Sequence, residues 1–478
     1  MAQKLAKSLK TGLFVGRVRL TPEQGSVHDE VMIEGEGFPA DSVLDIIWES
    51  YDARWEIEQL DGQDWNEFLG ISYETRLDIL AQVKTDQQGM FKASLQIPED
   101  YGGMHDVYVV LNMQKLNKAG FRLQVSAELT PSGGPVGSEI EVLVKGLNPA
   151  HPFEGWYQLF YDNHFVGCIT AVTTKGTAKV AVPAVGEPGR HIIGIELATY
   201  GTPFIQVDVS SYSYVKTFHL PFEVMPGEAT LPPPVQEQIL LEKSGIAPAQ
   251  KLTGPHLWTD FIEIPSQSAF TLFGQGFSPR QEIELRWVDI AGDRVSEVQP
   301  GRFGTGFQEL PRVVGKVITD DQGAFQLKIV PESVQGGAHP VEAWSDGKLL
   351  SRTYVTVSRR AHPLRPKGGP VGTPITVEVD GVGWTEHENE VAFTYDNSYV
   401  GYACGADLMG KILPKIYATG RPGWHFIDLY PTIRNSPEFL DGRDKPAFYR
   451  RPILTWMDHP HGFHFRYGFW LENTLENS

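Results

Sequence analysis

The two halves of this chain share their punctuation. Gly35-Glu36-Gly37-Phe38 returns as Gly274-Gln275-Gly276-Phe277, and Gly133-Gly134-Pro135-Val136-Gly137 returns as Gly368-Gly369-Pro370-Val371-Gly372. Self-similarity at a near-constant spacing marks a tandem array of structural units, and two different modules alternate here in the order A, B, A′, B′. In A, Val31, Ile33, Leu44, Ile46 and Trp48 alternate with more polar residues; in A′ the same places are taken by Phe270, Leu272, Ile283, Leu285 and Trp287. Period-two alternation is what a half-buried strand requires. Gly-x-Gly-Phe between the strands predicts a turn, because glycine accepts positive φ without a Cβ clash. A second pair of signals, Asp86-Gln87-Gln88-Gly89-Met90-Phe91 and Asp320-Asp321-Gln322-Gly323-Ala324-Phe325, predicts a hairpin. Each A module then reaches Gly102-Gly103-Met104-His105 or Gly336-Gly337-Ala338-His339, followed by another short apolar strand.

Module B is built in the same way. Ile140, Val142 and Val144 match Ile375, Val377 and Val379, and Tyr157, Leu159 and Tyr161 match Val391, Phe393 and Tyr395. The second of these strands runs into Tyr161-Asp162-Asn163 or Tyr395-Asp396-Asn397, and further on Gly189-Arg190-His191 matches Gly423-Trp424-His425. Modules of roughly a hundred residues with many short strands, Gly/Pro turns and no long helical period predict an all-β chain of four β-sandwiches. The expected division is an arm over 1–13, module A over 14–127, B over 128–225, a Pro-rich linker over 226–257, A′ over 258–360 and B′ over 361–478.

The Gly-x-Gly-Phe turn, the aromatic closing the next strand, the Asp-x-x-Gly-x-Phe hairpin and the Gly-Gly-x-His approach to the last strand resemble bacterial immunoglobulin-like domains of the IPT/TIG type. The resemblance covers most of the chain and implies the fold. Domains of that type serve in adhesin stalks, phage decorations, S-layers and carbohydrate-active enzymes, so it does not choose a function.

Composition narrows the choice. Of the 478 residues, 41 are basic and 59 acidic, a net charge of −18, which argues against duplex nucleic acid as a main partner. Only Cys168 and Cys404 occur, and they fall at non-equivalent repeat positions, Cys168 opposite Tyr402 and Cys404 opposite Thr170. No module therefore holds an internal disulfide, while a bridge between B and B′ stays open. The first ten residues lack the apolar run of a secretory leader, and no stretch has the length and hydropathy of a membrane span. The expectation is a virion or extracellular particle assembled from the cytoplasm, or alternatively a cell surface reached by non-classical export.

Three departures from the repeat supply candidate contact surfaces. Pro232-Pro233-Pro234 and a short helix over 235–243 are expected to tether the halves as a stiff spacer. Each A module carries a long excursion between its aromatic-ended strand and the Asp-x-x-Gly hairpin, which at that length is either functional or contains strands of its own. It offers Tyr51, Arg54, Trp55 and Trp65 in A and Phe303 and Phe307 in A′. Aromatic and arginine side chains dominate interface hot spots, although Trp55 and Phe68 could equally pin the excursion to its sandwich. In B′ an insertion absent from B brings Phe439, Arg443, Phe448, Tyr449 and Arg450. Partner subunits, a second copy of the chain, or surface glycans are the ligands such residues suit.

Chemistry is harder to find. Asp458, His459 and His461 are the densest group of metal-ligand types, yet Phe463, Phe465, Tyr467 and Phe469 alternate as an inward strand face just after them, turning His464 outward beside Arg466. A plain exposed turn entering the final strand is the favoured reading. His105, His339, His191 and His425 each mark the same strand start in its module, where a ring nitrogen is expected to hold a neighbouring carbonyl. No nucleophile elbow, phosphate loop or paired-cysteine zinc pattern occurs. The chain reads as non-enzymatic, with no cofactor.

Overall fold

The computed structural model describes residues 3–4, 10–11, 14–59, 66–149, 154–199, 202–211, 213, 215–235, 253–299, 302–384, 388–405, 409–432 and 450–473. Among them the regular structure is β, apart from 3-10 turns such as Val207–Val209 and Trp456–Asp458. The helix expected over 235–243 lies outside the described residues, except for Val235.

Among the described residues the sheets group by module, two each in A, B and A′, and in B′ one five-stranded sheet with two two-stranded ones. In A, a three-stranded sheet of Arg17–Thr21, Glu30–Glu36 and Phe91–Gln96 is matched by a larger one running Asn66–Lys84, Val43–Gln59, Gly103–Leu111 and Gln114–Leu123. Leu20, Val31, Ile33 and Leu95 from the first sheet and Leu44, Ile46, Trp48, Val109 and Phe121 from the second form one buried core. The alternating residues of the sequence are thus the inward faces of a sandwich. A′ repeats this arrangement around Phe270, Leu272, Ile283, Leu285 and Trp287. In B and B′ the larger sheets share one order: Gly133–Pro135, Phe218–Met225, Gly189–Thr199, Glu154–Tyr161 and His164–Ile169 in B correspond to Gly368–Gly369, Phe465–Leu471, Gly423–Pro431, Glu390–Tyr395 and Ser398–Cys404 in B′. The described chain is all-β, with immunoglobulin-like sheets.

The duplicated motifs are turn and strand-start devices. Asp86 Oδ1 accepts the backbone N–H of Gln88 and Met90 at 2.9 and 2.8 Å, and Asp320 Oδ1 accepts those of Gln322 and Ala324 at 2.8 and 2.9 Å. Asp162 and Asn163 both take positive φ, 47° and 65°, as do Asp396 and Asn397, 47° and 58°. Two successive positive φ values give the tight hairpin that matches strand twist. In all four modules the strand-start histidine meets the carbonyl four residues earlier, at 2.7 Å for His105 and Tyr101, 3.1 Å for His339 and Gln335, and 2.8 Å for both His191 with Glu187 and His425 with Arg421.

The chain divides into two compact units. One holds Met1–Ile57, Leu69–Glu228 and Ile453–Pro460; the other holds Glu58–Phe68, Ala229–Pro452 and His461–Ser478. Within each, backbone of A comes into close contact with backbone of B. Gly102 donates to the Leu147 carbonyl at 3.2 Å and Gly336 to that of Val382 at 3.0 Å. A Cβ on Gly102 would lie 1.9 Å from the Gly146 carbonyl oxygen, and one on Gly336 would lie 1.9 Å from that of Gly381. The first glycine of each Gly-Gly therefore serves the module junction, a role beyond introducing a strand.

Two connecting segments make contacts of their own. The described residues of the N-terminal arm are paired: Gln3 and Lys4 lie against Ile79 and Asp78, and Lys10 and Thr11 run parallel to Gln114 and Lys115. The linker is more than a tether over its first ten residues, because Val235 is buried in the B′ core and Leu231 lies over Gly468.

Candidate functional site

The A excursions are β-ribbons. Val43–Gln59 and Asn66–Lys84 are 17 and 19 residues long, and Glu282–Gln299 and Arg302–Ile318 are 18 and 17. Ordinary strands have five or six residues. In A′ the neighbouring strand Gly337–Ser345 pairs only with Glu284 to Trp287, while the two ribbon strands stay paired out to Gln299 and Arg302. From Val288 onward the ribbon is two-stranded and, at about 3.3 Å per residue, reaches roughly 40 Å past the sheet. In A, Asp45 to Trp48 pair with Gly103–Leu111.

The base of the first ribbon is the most elaborate polar site described. Trp48 Nε1 donates to Asp100 Oδ2 at 2.7 Å, and Arg76 binds that same oxygen at 2.7 Å, Asp78 at 2.7 Å and Asp52 at 2.5 Å. The Arg76 side chain is 3% exposed and that of Asp100 0%. Burial disfavours the guanidinium charge, but Asp100, Asp52 and Asp78 outweigh it and raise the Arg76 pKa. Beside this cluster Tyr51 stacks on Tyr101 with ring centroids 4.9 Å apart, and Tyr51, Trp55 and Ile71 pack on a small core of Ala53, Tyr101 and Val172. The Tyr101 hydroxyl, pushed up to about 12 chiefly by burial, accepts from the Ala53 N–H at 3.2 Å and donates to the Val172 carbonyl at 2.5 Å. Tyr51 and Trp55, expected as contact residues, are therefore spent on holding the ribbon to its own unit. Arg54, on the other face of the strand, stays exposed, 3.9 Å from Glu74.

Against this base lies Ile453–Pro460, which comes from the far end of the sequence. Cys168 and Ile453 form a parallel bridge, and Leu454 N–H donates to the Cys168 carbonyl at 2.9 Å. Thr170 N–H donates to Thr455 Oγ1 at 2.9 Å, and the two threonine hydroxyls share a 2.7 Å hydrogen bond. The Asp458 carboxylate accepts from Val172 N–H at 2.8 Å, Thr173 N–H at 2.7 Å and Thr173 Oγ1 at 2.6 Å; Trp55 Nε1 donates to the Asp458 carbonyl. Ile453, Leu454, Thr455 and Asp458 are buried, while Met457 is 81% exposed.

These bonds dissolve the metal grouping of the sequence reading. Asp458 is turned to backbone donors, His459 is buried beside it, and His461 lies 3.2 Å from Glu388. Nor is His464 a free outward group. Phe463, Phe465, Tyr467 and Phe469 do face the core, but on the opposite face His464 and Arg466 grip the buried Asp428 at 2.7 and 2.6 Å. Among the described residues, His362, Glu378 and Asp380 group with metal-ligand spacing, but the Lys411 ammonium sits 2.7 Å from Glu378 and 3.3 Å from Asp380 and supplies the cation. Cys168 and Cys404 form no disulfide. A 1170 Å³ groove over the small sheet of A has charges that pair with one another, Lys92 with Glu34 at 2.6 Å and Arg17 with Glu36 at 3.7 Å.

The second ribbon is held differently. Trp287 Nε1 donates to Asp289 at 2.9 Å, and Asp289 pairs with Arg312 at 2.9 Å. Gln335 bonds the Ile290 N–H and carbonyl at 3.0 and 2.6 Å, and Val288 and Ile290 pack on Trp384. Phe303 and Phe307 lie on the strand Arg302–Ile318, with Phe307 paired to Gly292. At the end of the B′ insertion Arg450 is anchored, its Nε 2.9 Å from Glu390, its guanidinium over the Tyr402 ring and its carbonyl accepting from Tyr399. Trp65, Phe439, Arg443, Phe448 and Tyr449 lie outside the described residues. The Arg76 cluster and the docked segment were not anticipated. In the repeat register Arg312 falls opposite Asp78 and Arg76 opposite Leu310, so the repeat carried no signal for the first.

No protein-family model matches the chain, and neither does any curated protein. Solved structures align at low identity. Escherichia coli alpha-2-macroglobulin in its native conformation is 9% identical, with 94% of this chain and 30% of that chain covered, at a TM-score of 0.18. An ectodomain fragment of ICAM-5 is 10% identical over 96% of this chain and 100% of its own, at 0.18. The Escherichia coli adhesin FdeC is 11% identical over 74% and 99%, at 0.16. The chain spans about three tenths of the length of the bacterial macroglobulins it aligns with. By its own sheets and cores it is a tandem immunoglobulin-like sandwich protein.

Proposed function

We propose that this is a non-enzymatic attachment or structural protein, built from IPT/TIG-type modules, which joins a larger assembly through the A′ ribbon. The observation that carries the reading is the ribbon's length beyond its sheet. A two-stranded ribbon has no core of its own and is marginal in water. A projecting one gains its stability from whatever it lies against, and its open edges can accept a partner's strand. The A–B junctions, made by backbone groups in close approach, give each ribbon a stiff mount. A phage or phage-like particle is the proposed assembly and a virion the proposed location. The use of Tyr51 and Trp55 inside the first unit weighs against sugar stacking at that place.

The test is size fractionation of native source material with mass-spectrometric detection of this chain. It is paired with a variant in which residues 292–307 are replaced by an Asn-Gly turn. The intact chain is expected to migrate with a large particle, and the trimmed chain to unfold cooperatively as before yet stay out of it. Migration only as a free monomer, or equal incorporation of the trimmed chain, overturns the reading. Saturable binding of the free protein to a polysaccharide would replace it with glycan attachment.

A further inference from the structure

We propose that the groove holding Ile453–Pro460 is a peptide-docking site that also takes this segment from a second copy of the chain, so that copies join by exchanging it. The proposal goes beyond the ribbon reading and does not rest on it. Among the described residues, these groups of the first unit hold the segment: the Cys168 carbonyl, the Thr170 amide and hydroxyl, the Val172 amide, the Thr173 amide and hydroxyl, and the Trp55 indole. Those groups read an Ile-Leu-Thr-x-x-Asp sequence and are indifferent to which chain presents it. His164–Ile169 is the edge strand of its sheet, the kind of edge that accepts an added segment. Its continuation is built for occupancy, since Thr170 and Val172 are buried and their amides turn toward the segment. Emptying the groove would strand those donors without acceptors. Trading one copy's segment for another's keeps every bond, which is the condition under which exchange between protomers costs little.

The presenting side is equally fixed. Before the segment, Arg450 holds Glu390 at 2.9 Å, and after it His461 holds Glu388 at 3.2 Å, so both flanks of the segment are tied down. Concentration then sets the balance between a chain filling its own groove and filling its neighbour's, with exchange favoured where copies are crowded.

The hydroxyls of Thr170 and Thr455 touch at 2.7 Å, so cysteines in their places report the docked state directly. Full-length Thr170→Cys and tagged Thr455→Cys chains, both in a Cys404→Ser background, would be unfolded, mixed, refolded at a series of concentrations and oxidised. The expected result is a mixed disulfide between residue 170 of one chain and 455 of the other, mapped by peptide mass, increasing with concentration. The Thr170→Cys/Thr455→Cys double variant shows that the bond can form and should close internally at high dilution. Adding Asp458→Ala to the Thr455→Cys chain should reduce the mixed species at least tenfold. Internal closure of the double variant with no mixed species at any concentration overturns the proposal. An undiminished yield with Asp458→Ala also overturns it, since the bond would then report collision rather than docking.

Discussion

The two A–B blocks agree where they fold and differ where they grip their ribbons. Trp48 stacks on His105 at 4.3 Å and Trp287 on His339 at 4.7 Å, and a glycine meets the next module's backbone in the same way in both. The indole of each tryptophan ends on a buried aspartate, but not on the same one. In the first block it is Asp100, from the loop before Gly-Gly; in the second it is Asp289, two residues along the tryptophan's own strand. Tyr101 and Gln335 hold equivalent loop positions and both reach the ribbon backbone, one with a phenol and the other with an amide. Parts kept in duplicate specify the sandwich and its junction. Parts that diverged mark where each ribbon acquired its own neighbours.

The arginines should separate the blocks most sharply. Arg76→Met leaves Asp78 and Asp100 buried without their cation, and losing one partner of such a cluster costs about 3–5 kcal/mol. Arg312, whose side chain is 52% exposed, neutralises a single aspartate, and solvent screening should hold the cost of Arg312→Met to roughly 1 kcal/mol. Urea unfolding of the two full-length variants measures both. Equal losses would mean that the first cluster is no more than a partnered surface pair, and the contrast between the bases would fall.

The junction glycines should do the opposite and bring the blocks together. Neither Gly102 nor Gly336 takes a positive φ, so alanine probes space alone, and in both cases its Cβ would stand 1.9 Å from a carbonyl oxygen. Overpacking against backbone should cost each block about 3 kcal/mol, read as a lower urea midpoint for the unit carrying the change. A large loss at one glycine and none at the other would show that the repeat is conserved in sequence but not in mechanics.

Legibility followed burial and locality. The inward faces, the hairpin turns and the histidine-to-carbonyl bonds were readable because each is encoded within a few residues. The ribbons read as excursions because their strands, at 17 to 19 residues, run far beyond the length expected of a strand, so the alternation of Tyr51, Ala53 and Trp55 was not joined to the strand that precedes it. Val172 with Asp458 and Thr170 with Thr455 left no local trace, being 286 and 285 residues apart. Composition around Asp458, His459 and His461 suggested ligands; the fold used the aspartate as an acceptor for backbone amides instead.

The finest comparison lies between the B modules. His191 and His425 each meet an aspartate through Nδ1 and a carbonyl through Nε2, and His425 lies 2.5 Å from Asp396 and 2.8 Å from the Arg421 carbonyl. Burial disfavours the charged ring of His425, but the bond to Asp396, its negative charge and the Arg421 carbonyl outweigh that and raise the pKa. A histidine whose folded pKa is raised contributes stability that is complete below its unfolded value, about 6.5, and is lost as pH climbs through the folded one. Removing the ring by His425→Gln should therefore cost roughly 1 kcal/mol at mildly acidic pH, and less as pH rises through that window. The difference in unfolding free energy between wild type and variant, taken at stepped pH, gives this slope. A flat difference would show that the neutral ring suffices to hold Asp396, and that the second block, like its sandwich cores, is secured there by geometry rather than charge.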